Sequence, residues 1–230
     1  MTIQANNIGN IDELAAEFER QGVVRVFNFL EQNSLKTLAN AIEQPGHYDN
    51  AFYLDGQNKQ ASDAEIKKLP VATQQQLFKN IHSIAAKGAG FLYGRHKIEN
   101  HSPREFKAVL QLLNSDNVLA NIRAITNQTQ LRFADGQATR YRRGDFLTRH
   151  IDNIPGETRR IAYVLGVTPG WHPDWGGLLQ FFEQDGTPTQ AWSPSFNSLT
   201  LFDVNKVHSV TYVTPFAEKN RYSVTGWFRS

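Results

Sequence analysis

The feature that most limits what this chain can fold into is a change of hydrophobic period near residue 128. Before it, apolar residues recur at the three-to-four spacing of helices; after it, they alternate as in strands with unlike faces. Residues 12–21 place Leu14, Ala15 and Phe18 on one side and stop before Gly22, which predicts a helix. Further helices are predicted over 31–42, 63–69, 72–86 and 118–125, and from a Ser102-Pro103 start to about Leu113. Residues 23–30 (VVRVFNFL) predict one supporting strand, and 46–60 a long loop.

Short strands are predicted over 128–133, 137–141, 146–151, 159–167, 178–182, 190–192, 198–202, 208–213 and 221–228, separated by DG, PG, GG and SPS turns. So many closely spaced strands point to a sandwich or barrel. The expected class is α+β: a jelly roll, or double-stranded β-helix, with the N-terminal helices packed against one sheet. Residues 1–230 are expected to form one domain, with 1–127 as cover and 128–230 as core.

Composition removes several chemistries. The chain has no cysteine, so disulfides, thiolate zinc and a Cys nucleophile are excluded, and any metal must use His, Asp or Glu. A net charge of +2 supplies no field for bulk attraction to nucleic acid or membranes. The polar, acidic N-terminus and the lack of a long apolar run lead to the expectation of a cytoplasmic protein.

Of the seven histidines, those at 47, 82, 96, 101 and 172 are read as structural or solvent-facing. His150 and Asp152 stand two apart at the end of a predicted strand, so both side chains leave the same face. His208, on a later strand, supplies a third ligand. Two imidazoles and a carboxylate make a facial triad that leaves open positions on an octahedral ion and suits non-haem Fe(II). In the last strand, Arg221, Ser223, Thr225 and Trp227 alternate onto one face. An arginine aimed into a barrel needs a buried partner, and the carboxylate of a small acid fits it.

With these residues in order, the sequence resembles the 2-oxoglutarate- and Fe(II)-dependent oxygenases of the prolyl 4-hydroxylase-like branch. The stretches Arg160-Ile161-Ala162-Tyr163-Val164-Leu165 and Gly176-Gly177-Leu178-Leu179, with Trp171, are similar to the ribosomal-protein prolyl hydroxylases within it. The resemblance implies that His150, Asp152 and His208 ligate iron and that Arg221 binds the distal carboxylate of 2-oxoglutarate, with Ser223 and Tyr141 beside it. Trp227 and Tyr163 are expected to line the substrate pocket. Where many members have a tyrosine for that carboxylate, this sequence is matched at Val167, which leaves the contact absent or supplied by Tyr163.

The implied reaction consumes 2-oxoglutarate and O2, releases succinate and CO2, and hydroxylates an unactivated C–H, with ascorbate as an optional reductant. A prolyl residue in a protein or peptide is the expected target, and a small molecule stays open. Two other readings compete. A nucleic-acid demethylase of the same fold draws on the arginines at 140, 142, 143, 149, 159 and 160, but such enzymes carry a second arginine where Trp227 stands. A non-enzymatic jelly-roll binding module would leave Arg221 and Ser223 unexplained.

Overall fold

The computed structural model describes residues 2–230. In chain order the elements are α1 (Ile11–Gln21), β1 (Val23–Phe27), α2 (Gln32–Ile42), β2 (Asp49–Leu54), β3 (Gln57–Ser62), α3 (Asp63–Lys68), α4 (Val71–Ala85), β4 (Phe91–Lys97), α5 (Arg104–Leu113) and α6 (Asp116–Thr126). Then follow β5 (Phe133–Ala134), β6 (Gln137–Tyr141), β7 (Phe146–His150), β8 (Arg159–Gly166), a 3₁₀ turn (Pro173–Trp175), β9 (Leu179–Phe182), β10 (Pro188–Trp192), β11 (Ser198–Asp203), β12 (Val207–Val210) and β13 (Arg221–Arg229).

Local chemistry sets the boundaries. Helix α1 stops at Gly22, whose left-handed backbone (φ 65°) lets its N–H donate to the Phe18 carbonyl. Helix α3 starts with a capping box in which Ser62 and Glu65 each accept from the other's backbone N–H. Helix α6 ends on left-handed Asn127, and the chain then turns, with Leu131 N–H donating to the Gln128 carbonyl. This is why the strand expected over 128–133 shrinks to Phe133–Ala134.

All strand pairs are antiparallel, in the order β1-β11-β8-β13-β6-β4-β7-β12-β9-β10. Strand β4 is the splice: it pairs with β6 through Gly94–Lys97 and with β7 through Phe91 and Leu92, so the sheet curls over into two facing leaves, as in a jelly roll. Along β8 the side chains divide cleanly. Ile161, Tyr163 and Leu165 join the core beneath α1, α2, α5 and α6, whereas Ala162 and Val164 face the interior between the leaves.

Residues 46–60 are not the loop expected from their polarity. They hold most of a β2–β3 hairpin, closed by Asp55 and Gly56, both at positive φ (53° and 75°), the conformation that an Asp-Gly pair favours in two-residue hairpin turns. Strand β2 in turn pairs with β4. The first half of the chain therefore extends the sheet as well as covering it.

The close approach of β13 to the β5–β6 connection depends on a missing side chain. A Cβ on Gly226 would collide with the backbone carbonyl of Asp135 and lie 2.9 Å from the Gly136 Cα. Gly226→Ala is expected to lower stability by about 1–3 kcal/mol by displacing backbone that has no room to give. Chemical denaturation of both proteins measures it, and an unchanged midpoint would refute the steric account.

Candidate active site

Closure of the roll assembles the three ligands. Strands β7 and β12 pair so that His150 and His208 are direct cross-strand partners, and their ring centroids lie 4.1 Å apart. Asp152 sits two residues beyond the end of β7, outside the ladder. Its backbone N–H donates to the Val204 carbonyl at 2.9 Å, and Asn153 N–H donates to the same oxygen, which ties this segment to the β11–β12 turn. The Asp152 carboxylate lies 3.6 Å from His150 Nε2 and 3.6 Å from His208 Nε2. Among the described residues this is the one group of three His or acidic side chains whose ligand atoms all lie within 4.8 Å of one another.

The imidazoles are oriented for ligation. His150 Nδ1 lies 3.0 Å from the Thr148 carbonyl and His208 Nδ1 2.9 Å from the Lys206 carbonyl. A neutral ring donates through Nδ1 there, which leaves each Nε2 lone pair for an ion. Burial, with the neighbouring His150 charge, pushes His208 down to about 4, so it is neutral at physiological pH. Burial also disfavours charge on His150, but the close approach of its Nε2 to Asp152 and the attraction of that carboxylate outweigh this and raise it. Asp152 is held below the usual carboxylate range: desolvation opposes its charge, and the two histidines and the Trp227 indole N–H overcome it. That N–H is buried and has no hydrogen-bond partner within normal distance. Phe202 meets the His208 ring edge-on at 4.7 Å, and Phe181 packs beyond it. An anionic carboxylate between two imidazole Nε2 atoms fits a divalent cation, which displaces the proton that Asp152 favours on His150.

A cavity of about 670 Å³ runs from the triad. At its closed end Arg221 is buried, forms no ion pair among the described residues, and has an Nη1 without a hydrogen-bond partner. Its guanidinium carbon stands 5.2 Å from the centre of the Tyr141 ring, which stacks on Tyr93. Ser223 Oγ shares a 2.7 Å hydrogen bond with Thr139 Oγ1. A buried guanidinium with a free N–H beside hydroxyl-bearing side chains is a cradle for a carboxylate, so the donor set fits 2-oxoglutarate. Arg221, Ser223, Thr225 and Trp227 all line this cavity, as their alternation predicts, and Trp227 is covered by Arg159 at 3.6 Å.

Two expectations need correction. Tyr163 borders the cavity, but its side chain points to the opposite face of β8, where it packs on Phe228 and its hydroxyl donates to the Asp135 carbonyl at 2.8 Å. It is therefore a core residue and offers no hydroxyl to a carboxylate at Arg221. Val167 lies in that same core, and the aliphatic residues of β8 that do face the cavity are Ala162 and Val164. Sequence reasoning also missed Tyr93 and Arg95 on β4, and Tyr53 and Asn58 of the hairpin, which line the cavity as well. The alternation Phe91, Tyr93, Arg95 was the available signal.

The arginine-rich stretch is largely consumed internally. Arg140 and Arg142 approach Asp63, Arg143 donates to the Ala217 carbonyl, and Arg159 pairs with Glu157. Trp171, Phe181 and Phe202 are buried, in keeping with core roles, and His96 bonds to the His47 carbonyl and Ser102. No described helix is long and apolar enough to cross a membrane.

The same stretch of chain is similar to known proteins. Residues 136–229, the stretch that carries the triad and Arg221, match the family model of the 2OG-Fe(II) oxygenase superfamily. Among named relatives, the chain is 37% identical over 101 residues to mouse prolyl 3-hydroxylase OGFOD1, covering 41% of this chain and 18% of that protein. It is 32% identical over 140 residues to the Xenopus laevis protein of the same name, covering 57% and 26%. The match thus spans about a quarter or less of those relatives. A Pseudomonas putida prolyl-4-hydroxylase shares the fold at TM-score 0.62 and 21% identity, covering 96% of this chain and 99% of that one. A Trichoplax adhaerens prolyl hydroxylase, solved with a hypoxia inducible factor peptide fragment, does so at 0.65 and 16%, covering 95% and 88%.

Two outcomes test the site. His208→Ala should weaken Mn(II) binding at least about 100-fold by calorimetry. In the native protein, affinity should fall on acidification, starting above the ordinary histidine range because a proton competes first at His150. Tyr163→Phe should cost about 1 kcal/mol of stability and leave 2-oxoglutarate affinity unchanged; a large affinity loss would return Tyr163 to the pocket.

Proposed function

We propose that this chain is a 2-oxoglutarate- and Fe(II)-dependent oxygenase that hydroxylates a prolyl residue in a protein or peptide, with residues 1–230 acting as one catalytic unit. The observation that carries the reading is the pairing of the buried His150, Asp152 and His208 cluster with an unpartnered Arg221 in one cavity. His150, Asp152 and His208 would hold the iron, whose chemistry when bound is oxidative decarboxylation of 2-oxoglutarate coupled to C–H hydroxylation, with ascorbate as an auxiliary reductant. The protein's own part is to bind, orient and exclude.

Arg221 neutralises the distal carboxylate and thereby sets how far the cosubstrate reaches toward the triad. Tyr141 and Ser223 shape the walls beside it. Trp227, held under Arg159, closes one flank next to Asp152 and keeps water from that face. Phe181 and Phe202 keep the other side of His208 dry.

Support for a polypeptide substrate comes from the open side. There the cavity passes between the β2–β3 hairpin, with Tyr53 and Asn58, and the segment after β7, where Ile151 and Ile154 are exposed. Apolar and amide-bearing side chains facing each other across a groove suit an extended chain, whose backbone offers both donors and acceptors. The relatives' names favour proline as the target; the sequence relatives bear C3 and one fold neighbour C4 in theirs.

Incubation with a cell lysate and proline-containing peptides should yield products one oxygen atom heavier by mass spectrometry, only when 2-oxoglutarate is present. Amino-acid analysis of the product then distinguishes 3- from 4-hydroxyproline. Arg221→Ala should raise the 2-oxoglutarate concentration needed at least about 100-fold, from the lost charge-assisted pair, while Fe(II) retention stays near native. An unchanged requirement would remove Arg221 from the cosubstrate site.

A further inference from the structure

Behind Arg221, at the closed end of the roll, stands a second arginine that belongs to the N-terminal half. Alternation along β1 sends Val24 and Val26 into the core under the helices and Val23 into the interior between the leaves, so Arg25 shares the interior face with Val23. Its Nε donates to Thr200 Oγ1 at 3.1 Å, its Nη1 donates to the Ser193 carbonyl at 3.2 Å, and its guanidinium lies 4.7 Å from the centre of the Trp192 ring. All three partners are uncharged. Arg25 and Arg221 line the same small void, and none of the described residues around it is acidic.

That combination is costly unless an anion completes it. The void measures about 10 Å³, room for one water at most, so little solvent stands between the two guanidiniums, although Arg25 itself is only partly buried. Burial and the Arg221 charge together lower Arg25 to about 10, which still leaves it protonated at neutral pH. Two fixed cations without a counter-charge raise the local potential where Arg221 offers its free N–H. Val164 and Leu179 border both this void and the main cavity, so the two spaces adjoin.

We propose that Arg25 is a second cation behind the cosubstrate pocket, acting through space together with Arg221 on the distal carboxylate of 2-oxoglutarate and so selecting a diacid over a monoacid. The inference rests on the cosubstrate reading above. It makes the N-terminal strand a contributor to specificity as well as a support.

The test uses two ligands of equal chain length: 2-oxoglutarate, and 2-oxopentanoate, which has a methyl group in place of the distal carboxylate. Calorimetric titration of each into the Mn(II)-loaded protein gives two dissociation constants without turnover. Arg25→Gln should weaken 2-oxoglutarate binding about tenfold, leave 2-oxopentanoate and Mn(II) binding within about twofold, and be largely rescued in Arg25→Lys. Arg25→Met, which keeps the aliphatic stem over Trp192, should match the glutamine variant and stands in for it if that protein does not fold. A merely structural arginine would move both ligands together, so an unchanged preference for the diacid in folded variants overturns the proposal. If the native protein itself shows no such preference, or Arg221→Gln leaves it intact, the cosubstrate reading fails instead.

Discussion

The site depends on the antiparallel register between β7 and β12, which sets His150 opposite His208. A one-residue slip would turn one imidazole to the other face of its strand. The ladder alone does not complete the cluster, because Asp152 lies beyond it. Two amides bonded to the single carbonyl of Val204 bring the carboxylate back, and they do so only once β11 and β12 have folded across from β7. Burial then settles the protonation states. His208 is too deep to carry a second proton, so its ring opposes Asp152 with a lone pair, as a ligand must.

The two faces of the main leaf answer to different demands. On β13, Val224 and Phe228 go to the helix-covered core and carry stability, while Arg221, Ser223, Thr225 and Trp227 go inward and carry recognition. A polar inner face costs stability unless ligands complete it. The helices α1, α2, α5 and α6 hold the apolar face fixed, so the inner one keeps its geometry. At the closed end the inward residues come from strands far apart in the chain, with β1 bringing Arg25 beside Arg221 of β13.

Much of this was legible without coordinates. The helical stripes of α1, α2 and α5, the alternation of β8 and β13, and the spacing of His150 and Asp152 all follow from local period. The β2–β3 hairpin was not, because its strands are polar on most positions and β2 gains its order by pairing with β4; the Asp55-Gly56 pair was a turn signal that the loop reading passed over. Tyr163 was misplaced for a related reason. Alternation separates it from Ala162 and Val164, but which set faces the cavity is decided by the helices on the other side.

By itself, then, the sequence determined most element types, the absence of thiol chemistry and the residue kinds available to a cation, since backbone propensity, turn chemistry and the donor atoms of a side chain are properties of short segments. Only tertiary structure decided that His208 meets His150, that Arg221 ends with a free N–H, and that Arg25 stands behind it. Each of these depends on the curl of a sheet whose neighbouring strands are as distant in the chain as β1 and β11, and long-range register is set by packing of the whole rather than by any local stretch.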